Sequence, residues 1–159
     1  MFAWGNPSRG DDAVGPWFAE RFRAFPGEGF SLVEDFQLQV EHLLDCEQAR
    51  LLLFVDACEG PGSEFLFSPV VPSAAVAHTS HALEPAELLG HFRRLFSREP
   101  PAAFRLTVPG KHFELGSAMS GATRACCLRG ARFVEALLRN PEEGHWLQLS
   151  GVEVDSCRI

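Results

Sequence analysis

The sequence predicts a single α/β domain: a twisted, mainly parallel sheet of about five strands, with one antiparallel edge strand, sandwiched by helices. Three observations predict it. Strand-like and helix-like patterns alternate along the chain, as they do in βαβ units. The run Leu51-Leu52-Leu53-Phe54-Val55 is continuously apolar over a strand's length, which marks a strand covered on both faces. The composition, 46% hydrophobic and 22% charged over 159 residues, suits one domain with a sizeable buried core. The domain is expected over residues 1–140, followed by a C-terminal tail over 141–159 to which no structure is assigned.

Each element has a local reason. Residues 1–4 form a short first strand that runs into the turn-rich loop Gly5-Asn6-Pro7-Ser8-Arg9-Gly10. Val14, Phe18, Phe22 and Phe25 then fall on one face at near-helical spacing, and Gly27 and Gly29 stop that helix. Residues 30–34 read as the second strand, ending at Asp35. A helix over 40–48 is expected to turn Val40, Leu43 and Leu44 to one side. The apolar run 51–55 is the third strand and ends at Asp56. After the Gly60-Pro61-Gly62 turn, residues 64–71 read as a fourth strand, antiparallel because so short a connection separates it from the third. A loop carries His78 and His81. Pro85 suits the first turn of a helix that continues through Leu88, Leu89, Phe92, Leu95 and Phe96. Phe104, Leu106 and Val108 alternate as the fifth strand. The last helix shows Met119, Ala122, Cys126, Phe133 and Leu137 at steps mostly of three or four.

Composition narrows the function. A net charge of −7 argues against nucleic acid or an anionic membrane surface as a partner, since both require a basic face. No stretch approaches the roughly 20 apolar residues that span a bilayer, and no signal-peptide pattern is visible. The five cysteines are odd in number and contain no C-x-x-C pair, so reduced thiols in a cytoplasmic protein are expected rather than a disulfide framework or a zinc knuckle. Cys126 and Cys127 read as helix-packing residues. The dinucleotide glycine motif, the P-loop, the G-x-S-x-G elbow and H-E-x-x-H are all missing from the sequence.

In open α/β sheets the functional crevice lies at the carboxyl ends of the strands. The polar residues at those ends are Asn6, Arg9, Asp11 and Asp12 after the first strand and Asp35 after the second. Asp56 follows the third, His81 the fourth, and Lys111 and His112 the fifth. Carboxylates and an imidazole converging on one rim make a candidate site for a divalent ion such as zinc or nickel. Taken singly, each has a duller reading. Asp12 fits a helix N-terminus, Asp35 and Asp56 fit turns, and a loop histidine is more often no ligand at all. Convergence, rather than any one residue, lifts the site.

Four blocks carry a resemblance. Gly5-Asn6-Pro7-Ser8-Arg9-Gly10-Asp11-Asp12-Ala13-Val14-Gly15 resembles the G-N-x-x-x-x-D-D/E-G-x-G opening of the hydrogenase maturation endopeptidases. Val55-Asp56-Ala57 is similar to their strand-end V-D-A, and Thr79 to Leu89 to their S-H-x-L-S-P-x-E-L-L stretch. Phe113-Glu114-Leu115-Gly116 with Ser120 is similar to their late F-E-L-G-x-x-L-S segment. The blocks occur in the family's order. Ala13 stands where the family has glycine, and Ser8 where an apolar residue is common. Asp35-Phe36-Gln37-Leu38-Gln39-Val40-Glu41 looks more like members that serve cytoplasmic, NAD-linked or bidirectional hydrogenases.

The resemblance implies an aspartyl-type, metal-binding endopeptidase. Such an enzyme removes the C-terminal extension of a nickel–iron hydrogenase large-subunit precursor after nickel insertion, with the substrate's nickel as the recognition handle. The metal-contacting residues map onto Asp12, Asp56 and His81, and Asp35 takes the role in cleavage. Asn6, Arg9 and His112 on the same rim are expected to meet the substrate. Nickel arrives with the substrate, no permanently bound cofactor is expected, and the protein is expected to be a cytoplasmic monomer. The competing expectations are a noncatalytic, metal-dependent chaperone of the same precursor, and a generic hydrolase or nucleotide binder using the same crevice.

Overall fold

The computed structural model describes residues 1–60, 62–74 and 83–150. Its five-stranded sheet has the order β2-β1-β3-β5-β4, with β1 at Phe2–Trp4, β2 at Val33–Asp35, β3 at Leu51–Glu59, β4 at Leu66–Pro69 and β5 at Ala102–Gly110. Four strands are parallel, and β4 pairs antiparallel with β5 at the sheet edge. The expected mixed sheet with one antiparallel edge strand is therefore what the chain forms. From β1 the chain moves outward to β2 and then returns across β1 to β3, so the strand order reverses between β1 and β3. Ligand crevices of open α/β sheets lie outside the strand ends at such a reversal.

The helices are α1 (Val14–Phe22), α2 (Leu43–Glu47), α3 (Pro85–Phe96), α4 (Gly121–Arg139) and α5 (Glu143–Leu149). On one face of the sheet Phe18, Phe22, Leu53, Val55, Phe104, Leu106, Val108, Cys127 and Val134 form a core with α1 and α4. On the other, Phe2, Trp4, Phe54, Leu88, Leu89 and Phe92 form a second core with α2 and α3. The period-2 alternation of β3 and β5 divides their side chains between the two cores. Full burial of each large apolar side chain is worth about 1.5–3 kcal/mol. Among the described residues no helix is long and apolar enough to cross a membrane.

Three expectations change. β3 does not end at Val55: it stays paired in register with β5 as far as Glu59↔Gly110, so Asp56 lies within a central strand. The segment expected as one helix over 40–48 opens instead with a 3₁₀ turn, Val40–His42, before α2. That tighter turn shifts the helical phase. Leu38, His42, Leu43 and Cys46 turn inward, while Val40 and Leu44 are exposed. Finally, Glu143–Leu149, in a segment to which the sequence assigns no structure, form α5. Its Trp146 is 2% exposed and packs edge-on against Phe104 and Phe67. The indole Nε1–H donates to the carbonyls of Leu137 and Asn140 at 3.1 and 3.2 Å, adding to the backbone bonds those carbonyls accept from Asn140 and Glu142 and tying α5 to the end of α4.

Cys46, Cys126 and Cys127 are free and buried, and burial pushes the Cys46 and Cys127 thiols up to about 12. They are packing residues. Cys58 is disulfide-bonded, so the expectation of reduced thiols does not hold at that position.

Candidate functional site

The carboxyl end of β1 organises the rim. Gly5, at φ +141°, lets the chain leave the strand so closely against the next turn that a Cβ there would meet the Asp12 carbonyl oxygen at 2.1 Å. Gly15 permits α1 to start directly on β1, since its Cβ would meet the Trp4 carbonyl oxygen at 2.0 Å. Between these glycines the chain folds into a 3₁₀ turn, Gly10–Ala13, which lies against β3. The Asp12 carboxylate there accepts the backbone N–H of Asn6 at 2.9 Å. Asn6 in turn uses its side-chain oxygen to accept the N–H of Ser8, a local turn bond, so its amide serves the loop.

Asp11 has a different part. It is 1% exposed, and its carboxylate accepts the N–H groups of Lys111 and His112 at 2.8 and 3.1 Å and of Ser120 at 2.8 Å. Burial opposes its charge, but these donors outweigh burial and hold the group below its ordinary carboxylate value. The Asp11 N–H donates back to the His112 carbonyl at 2.7 Å, and Gly10 and Gly116 add backbone bonds to Ser117 and Ser8. Arg9 Nε donates to the Phe113 carbonyl at 3.2 Å. The loops after β1 and β5 are thus stapled into one piece. His112 contributes its backbone to the staple and leaves its side chain exposed.

Asp56 lies on the α2/α3 face of β3. Arg105 of β5, whose register partner is Phe54, donates through Nη2 to Asp56 Oδ2 at 3.1 Å and through Nη1 to Glu84 Oε2 at 3.0 Å. Both Asp56 and Arg105 side chains are 14% exposed. Burial pushes the Asp56 carboxyl up to about 7, against the opposing pull of Arg105 and with a smaller push from the Glu84 charge. Neither Arg105 nor Glu84 was singled out from the sequence. A signal was present, because an arginine on the second face of a buried strand needs a counter-charge there.

Asp35 ends β2 beside Trp4 in register, and Ala3↔Val55 pairing brings Asp56 to the opposite flank of Trp4. Asp35 and Asp56 thus stand two strand spacings apart, roughly 10 Å between backbones. The Asp35 oxygens accept the Phe36 N–H at 2.6 Å and the Gln39 amide at 2.9 Å. Asp35 and Phe36 line a cleft of about 310 Å³ with Gly5, Pro7, Pro16 and Glu34. A larger cavity, about 660 Å³, lies at the amino ends of β1 and β3, away from these carboxylates.

Of the expected site residues, Asn6, Arg9, Asp12, Asp35, Asp56 and His112 are all carried to the carboxyl-end rim, with Asp12, Asp35 and Asp56 grouped around the end of β1. His81, and His78 beside it, lie outside the described residues. Among the described residues no three His, Cys, Asp or Glu side chains form a metal-binding group. Asp12 from the 3₁₀ turn and Asp56 from β3 supply oxygen donors of the kind borderline divalent ions accept.

No protein-family model matches the sequence, and no curated protein matches it. Solved structures do match. The NiFe hydrogenase maturation protease HycI from Thermococcus kodakarensis superimposes with a TM-score of 0.68 at 20% identity, over 87% of this chain and 90% of that one. The endopeptidase HycI from Escherichia coli gives 0.64 at 18% identity, over 96% and 97%. The hydrogenase maturating endopeptidase HybD from E. coli gives 0.67 at 17% identity, over 88% and 91%. The chain therefore has, over nearly its whole length, the fold of the hydrogenase maturation proteases.

Proposed function

We propose that this protein is an endopeptidase that removes the C-terminal extension of a nickel–iron hydrogenase large-subunit precursor once nickel has been inserted. The observation that carries the reading is the grouping of Asp12 and Asp56 at the β1/β3 reversal of a fold shared with named maturation proteases. In this reading Asp12, Asp56 and His81 contact the nickel that the substrate brings, so a precursor without nickel lacks the central contact. Asp35 acts on the scissile peptide as general base or acid, and Asn6, Arg9 and His112 border the path of the substrate. The Arg105 guanidinium orients Asp56 and steadies its charge. The protein works in the cytoplasm as a monomer and needs no resident cofactor.

The test is incubation of the protein with its precursor, prepared with and without nickel, followed by intact mass. A defined C-terminal mass loss confined to the nickel-loaded precursor, and abolished by Asp56→Ala and His81→Ala, is the expected result. Nickel-dependent binding with the precursor's mass unchanged would overturn the peptidase reading in favour of a chaperone.

A further inference from the structure

His42 is turned inward although the sequence pattern gives the interior to Val40, Leu43 and Leu44. It is 9% exposed, wedged beneath the edge of the Phe2 ring with centroids 5.9 Å apart. Nδ1 is hydrogen-bonded, and Nε2 approaches a carboxylate. Nδ1 accepts the backbone N–H of Gln39 at 3.0 Å, half of a reciprocal capping arrangement in which the Gln39 side chain accepts the His42 N–H. With Nδ1 used as an acceptor, the ring carries its proton on Nε2. Nε2 faces Asp35 Oδ2 at 3.4 Å. The same oxygen accepts the Gln39 amide at 2.9 Å, and Oδ1 accepts the Phe36 N–H. The carboxylate at the rim is therefore held on both oxygens by the short segment that follows it. The imidazole is the one member of this set anchored in the core.

We infer that His42 is a positioning residue for Asp35: its Nδ1 fixes the ring through the Gln39 backbone, and its Nε2–H fixes the plane in which Asp35 meets the substrate. This rests on the cleavage role of Asp35 proposed above. The two nitrogens do separable jobs, which makes the inference testable. His42→Asn keeps an amide oxygen near the place of Nδ1, preserving the Gln39 contact, but reaches no donor to Asp35. His42→Gln carries an amide nitrogen out to the place of Nε2 and keeps that donor.

The experiment measures kcat, KM and the thermal midpoint on the nickel-loaded precursor for wild type, His42→Asn, His42→Gln and Asp35→Asn. The expected result is a fall in kcat on the order of 10- to 100-fold for His42→Asn, with KM within about threefold and the melting temperature nearly unchanged. The glutamine variant recovers most of the lost kcat. Equal losses in both variants, or a loss that tracks the melting temperature, would mean that His42 only supports the local fold. An inactive Asp35→Asn beside a fully active His42→Asn sinks the inference while leaving Asp35 in place. A fully active Asp35→Asn removes the role of Asp35, and that of His42 with it.

Discussion

Asp11 and Asp56 are both carboxylates at the same end of one sheet, both are largely removed from water, and their surroundings drive them in opposite directions. Asp11 meets three backbone N–H groups from the loop after β5 and the start of α4, and stays ionised below its ordinary range. Asp56 has one guanidinium, itself shared with Glu84, and burial lifts it to about 7. A carboxylate whose lone pairs are filled by the backbone is a structural bolt with nothing left to offer a ligand. One that is desolvated and incompletely served is poised to gain from a cation, and such groups concentrate at functional sites. Donor number also separates the neighbours Asp11 and Asp12, which the sequence presents as a pair: three backbone N–H groups meet Asp11 and the Asn6 N–H meets Asp12.

The largest way to test this contrast is exchange of each acid for its amide. Asp56→Asn should lower cleavage of the nickel-loaded precursor by at least about 10²-fold while leaving the fold intact; an active variant would remove Asp56 from the site. Stability should follow pH differently in that variant. The folded-state value of Asp56 is raised from 3.8 to about 7, so its favourable contribution is complete below pH 3.8 and is lost as pH rises through 7. Denaturant melts between pH 4 and 8 should show Asp56→Asn gaining on wild type by up to about 4 kcal/mol. A pH-independent difference would contradict the desolvated carboxyl.

Asp11→Asn should show the converse: a loss of about 3 kcal/mol at pH 7, from the weakened bonds and from an amide N–H facing backbone donors. Here the folded-state value is lowered, so the stabilisation is present above pH 3.8 and disappears as pH falls through the lower folded value. The gap between variant and wild type should therefore close only in acid. The smallest effect is expected from Ser120→Ala. It removes the side-chain cap at the start of α4, where Oγ accepts the Thr123 N–H at 3.2 Å, but keeps the backbone donor to Asp11. A loss of about 1 kcal/mol with unchanged cleavage is expected in chemical denaturation and activity assays.

Much of the fold was legible because it rests on local patterns. The continuous apolar run of β3, the alternation of Phe104, Leu106 and Val108, and Pro85 at the start of α3 each announce an element from neighbouring residues alone. The 141–150 segment was not legible. Its helix is short, and its one strong anchor, Trp146, has meaning only once Phe104, Phe67 and the end of α4 surround it. His42 was missed for a similar reason. A continuous helical phase through Val40 and Leu44 assigns the interior to aliphatic residues, and the 3₁₀ turn that brings the imidazole inward is fixed by its bonds to Gln39.

By itself, the sequence determined the order of the elements through α4, the two-faced core and the set of polar residues at strand ends, because periodicity and turn chemistry act over a few residues. Tertiary structure decided which strands became neighbours, and hence that Trp4 separates Asp35 from Asp56, that Arg105 answers Asp56, and that Asp11 is consumed in joining two loops about 100 residues apart. Those assignments depend on pairing between distant segments and on how much water each carboxylate retains, and both exist only when the chain is folded.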